Sequence, residues 1–63
     1  MRLNTADMIK QKLLDVQENV RDFQSYADKV EDEKVKEYFK DFAKDSAYQA
    51  QKLQKLLSEY EII

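Results

Sequence analysis

Apolar side chains recur along this chain at alternating steps of three and four residues, in two long runs separated by one short acidic interruption. The first run is Ala6, Ile9, Leu13, Val16, Val20, Phe23, Ala27 and Val30. The second places Val35, Phe39, Phe42, Ser46, Gln49, Leu53, Leu56 and Tyr60 on the same rhythm. Such spacing keeps side chains on one stripe of an α-helix, whereas a strand would alternate every second residue. The chain also has no glycine and no proline, so it lacks the residues that give tight β-turns their positive or fixed φ. The pattern predicts helix from about Thr5 to Val30 and from about Glu33 to Tyr60, an all-α antiparallel two-helix hairpin forming one domain over residues 1–63.

Both helices carry start signals. Asn4 is placed to cap the first, Asp7 puts negative charge near its positive N-terminal end, and Leu3 and Met8 have the spacing of a hydrophobic staple. Glu31, Asp32 and Glu33 give the second helix the same electrostatic preference, with Asp32 as its cap. Lys52 and Lys55 suit its C-terminal end. Ile62 and Ile63 are expected to fray or to dock on a neighbour.

Folding one run onto the other pairs Val30 with Val35, Ala27 with Phe39, Phe23 with Phe42 and Val20 with Ser46. Val16 then meets Gln49, Leu13 meets Leu53, Ile9 meets Leu56 and Ala6 meets Tyr60. The residue numbers of all these pairs add to a nearly constant value, as one short turn between antiparallel helices requires. Small residues face large ones at two of the levels. Pattern, caps and turn agree on one topology.

Composition narrows the chemistry. There is no cysteine and no histidine, which excludes disulfides, thiol catalysis, imidazole bases and Cys- or His-ligated metal. Charged residues make up 38% of the chain, but the net charge is only −2 and the signs are interspersed. That leaves no basic footprint for nucleic acid or an anionic membrane surface. The segment from Met1 to Met8 lacks the continuous apolar core of a signal peptide, and no stretch is long enough to cross a bilayer. A cytoplasmic protein is expected.

A single seam between two helices covers too little surface to offset the entropy of ordering the chain. The sequence indicates where more cover would attach. Beside the seam of the second helix runs a row of Lys36, Ala43, Ala50 and Leu57, and Tyr38 widens the other flank; Met8, Leu14 and Tyr26 widen the first helix. Stripes of this breadth suit a helix with more than one neighbour. Two hairpins related by a two-fold axis would close a homodimeric four-helix bundle, with Ala43, Ala50, Leu57 and Tyr38 at the joint.

Ser46 and Gln49 interrupt the apolar run with polar groups opposite Val16. Within a bundle core, a serine and a glutamine can hydrogen-bond across helices and fix register or oligomer state. Neither is a good metal ligand, acid or base, and Ser46 has no histidine to activate it. Tyr38 and Tyr60 fit bundle packing with the hydroxyl at the rim, and Tyr48, on an outer position, is either solvated or part of a partner surface.

The run from Tyr26 to Phe39, with its aromatic, apolar pair, acidic turn and Val-Lys-x-x-Phe, resembles half of a rubrerythrin or ferritin-like bundle. The likeness continues through Asp41-Phe42-Ala43-Lys44-Asp45, Ala50-Gln51-Lys52-Leu53 and Leu56-Leu57, and so covers about Leu13 to Leu57. In that family a Glu of the first helix and a Glu-x-x-His of the second bind a di-iron centre. The resemblance puts those ligands at Val16, Ser46 and Gln49, and a tyrosine near the metal at Phe23. It therefore implies the bundle scaffold without the iron site. A looser resemblance to spore coat F-type proteins implies a bacterial, spore-forming source.

Other carboxylates do not rebuild the site. Asp15, Glu18, Asp22 and Asp41 fall on outer positions, and Asp45 flanks the seam with Asn19, a pattern typical of a solvated face. No catalytic, cofactor-binding or metal-binding residue is assigned, and no cofactor is expected. The expected function is a non-enzymatic structural or protein-interaction module. The alternatives are a small regulatory protein that docks on a larger partner, or a residual metal-binding ferritin-like protein.

Overall fold

A computed structural model describes residues 4–61. It is an all-α hairpin of two helices, α1 (Thr5–Lys29) and α2 (Glu33–Glu61). The Cα trace is a flat slab measuring 47 × 24 × 12 Å.

The caps form as the sequence predicts. The Asp7 N–H donates to the Asn4 side chain at 2.8 Å, and the Val35 N–H donates to the Asp32 carboxylate at 3.0 Å. Each bond satisfies an N–H that the first helical turn cannot pair internally. Val30 ends α1 in extended conformation while its N–H still donates to the Tyr26 carbonyl at 2.9 Å. The link from Val30 to Asp32 then reverses the chain without any positive φ, which is how a chain lacking glycine makes this turn. At the open end Lys10 approaches Glu61 at 3.6 Å, with both side chains more than half exposed, so solvent screening leaves the pair a small contribution. The last turn of α2 carries no basic residue, and Lys55 lies before it. The expected Leu3–Met8 staple and the docking of Ile62 and Ile63 involve positions outside the described residues.

Every position of the first apolar run faces inward. Leu13, Val16 and Ala27 are buried, and Ala6, Ile9, Val20, Phe23 and Val30 are half-buried. The second helix departs from expectation. Phe39, Ser46 and Leu53 turn towards α1 as predicted, but the positions between them are supplied by Ala43, Ala50 and Leu57. Phe42, Gln49, Leu56 and Tyr60 are exposed instead. Successive residues lie about 100° apart around a helix, so α2 is turned by roughly 50° from the predicted seam. The physical reason is side-chain size. Ala43 and Ala50 let the α1 backbone approach closely, whereas Phe42 and Leu56 would hold it away, and the spacing of packed helices follows the side chains at the contact. Ala27, at 2% exposure the most buried residue named in the core, lies beside Ala43 on the same side of this contact.

Candidate functional site

The rotation of α2 leaves large apolar groups on one broad face. Near the turn, Phe23 lies 5.7 Å from Phe39 and 5.4 Å from Phe42, ring centre to ring centre. Tyr26 joins Phe39 at 6.4 Å, and Tyr38 joins Phe42 at 6.0 Å. All four pairs are tilted within the range where aromatic quadrupoles attract. The cluster is open above: Phe42 is 41% exposed, and Tyr26 and Tyr38 are more than half exposed. Further along, Val16, Gln49 and Leu53 line a shallow groove of about 370 Å³ with Lys12, Tyr48 and Lys52. The Lys52 ammonium sits 5.4 Å from the centre of the Tyr48 ring, a cation–π distance. Towards the open end Met8, Leu56 and Tyr60 are also exposed.

The opposite face is different in kind. Gln24, Asp28, Glu37, Lys40, Asp41 and Lys44 surround Ala27, Ala43 and Ala47 in a shallow, charged depression of about 550 Å³. One side of the slab therefore carries an aromatic cluster and an apolar groove among polar residues, the other a charged depression.

Each residue singled out by the sequence now has a place. Val16 and Ser46 are buried, at 8% and 6% exposure. Gln49 is not in the core of the hairpin; it faces out into the groove it shares with Val16. Ala43 is buried, and Ala50 and Leu57 are half-buried, on the side of α2 that turns towards α1. Tyr38 stands on the open face as a widening residue should. No buried side-chain nitrogen or oxygen among the described residues is left unpaired, so Ser46 does not carry the penalty of an orphaned polar group. Sequence reasoning missed the importance of Phe42 and Leu56 as surface groups. Their signal was the presence of two adjacent apolar rows on α2, one large and one small.

Among the described residues no three Asp, Glu, His or Cys side chains gather as a metal-binding group. No described helix is long and apolar enough to cross a membrane. No protein-family model matches the chain, and neither a curated protein nor a solved structure is significantly similar to it.

The hairpin exposes more surface than a compact protein of its mass. Its accessible surface is 5330 Å² for a mass of 7.6 kDa. A compact monomer of that mass exposes about 4,300 Å², so roughly 1,000 Å² is in excess. Among the described residues no large side chain reaches full burial.

Proposed function

We propose that this chain is a non-enzymatic structural or protein-interaction module, a metal-free ferritin-like hairpin that pairs with a second copy as a four-helix bundle. The observation that carries this reading is the open aromatic face together with the excess surface. Covering about 1,000 Å² on each of two copies gives about 2,000 Å² in total, the size at which permanent homodimer interfaces begin. The residues at that joint are Phe42, Leu56, Tyr38 and Gln49, in place of the alanine row.

Val16, Ser46 and Gln49 support the metal-free part of the reading. They offer no carboxylate or imidazole where the ferritin-like pattern would hold iron. Addition of iron(II), manganese(II) or zinc(II) is expected to leave the melting temperature unchanged, because a ligand stabilises a fold only by binding the native state. An increase of several degrees at a modest metal excess would overturn it. Pairing itself has a thermal signature: the melting temperature should rise with protein concentration, because dimer formation is linked to folding by mass action. A concentration-independent melting temperature would contradict the dimer.

A second reading has its own observation. Tyr48 is 60% exposed beside the apolar groove, and exposed aromatics are enriched where proteins meet. In that reading the hairpin is a small regulator and a larger protein covers the face. A chain that stays monomeric in isolation and dimerises with nothing of its own would favour it.

A further inference from the structure

We infer that the two copies lie face to face with their turns at opposite ends, α1 against α1 and α2 against α2, in a register written into the flanks of both helices. The inference rests on the reading that the open face is covered by a second copy. Each helix bears a second row of residues, beside its inward seam and exposed throughout, running at the same steps of three and four. On α1 the row goes from Met8 to Tyr26, and on α2 from Tyr38 to Leu56.

An antiparallel pairing of the α1 row with its own copy, centred at Gln17, is self-complementary. Met8 meets Tyr26, Lys12 meets Asp22, and Asp15 meets Asn19. The α2 row behaves alike about a centre at Ala47. Tyr38 meets Leu56, Phe42 meets the Lys52 ammonium, and the Asp45 carboxylate meets the Gln49 amide. Apolar groups thus fall on apolar groups at the two ends. In the middle fall one pair of opposite charges, one cation against an aromatic ring, and two pairs of a carboxylate with an amide donor. Gln17 and Ala47 also lie at nearly the same height of the hairpin, so one two-fold axis serves both helix pairs, as an isologous interface demands.

The other two-fold arrangement lays α1 over the α2 of the second copy with both turns at one end. It keeps equal heights together, which brings Lys12 onto Lys52 and Asp22 onto Phe42. Like charges set opposite each other reject an arrangement even where its apolar contacts would serve. The charges of this face therefore select the opposite-end form. In it the predicted α2 seam, with Phe42, Gln49 and Leu56, points between the neighbouring α1 and the second copy, the direction of a four-helix core.

Charge reversal tests the register without touching the core of the hairpin. Lys12→Glu should weaken dimerisation about tenfold or more, because symmetry places the altered pair at two sites per dimer, and the loss should shrink in high salt. Lys12→Glu combined with Asp22→Lys should restore most of the affinity. The same-end form predicts the reverse, a Lys12→Glu dimer tighter than the unaltered one. An unchanged or tighter dimer, or failure of the second substitution to rescue, overturns the inference. A spin label at Lys29→Cys gives an independent reading in this cysteine-free chain. The opposite-end form sets the labels about 36 Å apart along the axis at ~1.5 Å rise per residue; the same-end form brings them to roughly 20 Å, given helix spacings of about 8–10 Å. A folded monomer would instead defeat the dimer reading itself, and a dimer with the short distance would defeat only the register.

Discussion

Phe23→Ala is expected to leave the chain largely unfolded at room temperature. Phe23 is the one ring that touches both Phe39 and Phe42, so it joins α1 to α2 at the aromatic end of the hairpin. Truncating a core phenylalanine costs about 3–5 kcal/mol, and the half-buried setting of Phe23 puts this case near 3 kcal/mol. A single core in a chain of this length rarely supplies more than about 3–5 kcal/mol. The substitution therefore removes most of the margin. Far-ultraviolet circular dichroism should show loss of most helical signal, while Phe23→Leu, which keeps apolar volume, should retain it. A Phe23→Ala variant that melts like the unaltered chain would show that the aromatic cluster does not hold the helices together.

Leu56→Asp has the second large effect, and by a different route. Leu56 is 45% exposed, so in an isolated hairpin the change should alter stability by no more than about 0.5 kcal/mol. At a joint between two copies, each dimer would contain the aspartate twice, opposite Tyr38 and shut away from water. Burying an unpaired carboxylate at both places should raise the dissociation constant at least a hundredfold, or about 2.7 kcal/mol. Because the hairpin depends on its cover, helicity should fall with dimerisation. A Leu56→Asp variant with unaltered association would place the interface elsewhere.

The contrast between these residues shows what the sequence made legible. The helices, both caps and the topology could be read because each has a local signal: Asn4 and Asp32 stand where a helix needs an acceptor, and the acidic break admits one turn only. The whole inward stripe of α1 was readable too, since its neighbouring rows are mostly polar, with only Met8, Leu14 and Tyr26 as large apolar groups. On α2 the same reasoning met two adjacent stripes, Phe42 and Leu56 on one, Ala43 and Leu57 on the other. Hydrophobicity favoured the larger side chains for the hairpin seam. Close approach favoured the smaller ones, and periodicity cannot separate rows one residue apart. Gln49 moved outward with the larger row, while Ser46, common to both, stayed buried. The candidate face was thus half visible: Phe42 does lie beside Phe23 and Gln49 shares a groove with Val16, as the pairing predicts, but both residues are exposed on the flank of the hairpin and not enclosed in its seam.

The chain has no histidine and no cysteine, so it lacks imidazole and thiol groups. The described residues form a scaffold with a charged depression on one side and an aromatic cluster and apolar groove on the other, which supports the proposal of an assembly element.

Sedimentation equilibrium of the full chain at micromolar concentration, with helicity followed on the same samples, bears most directly on that reading. A helical species of twice the 7.6 kDa chain mass, losing helix as dilution dissociates it, is the predicted result. A stable, fully helical monomer of 7.6 kDa would contradict it.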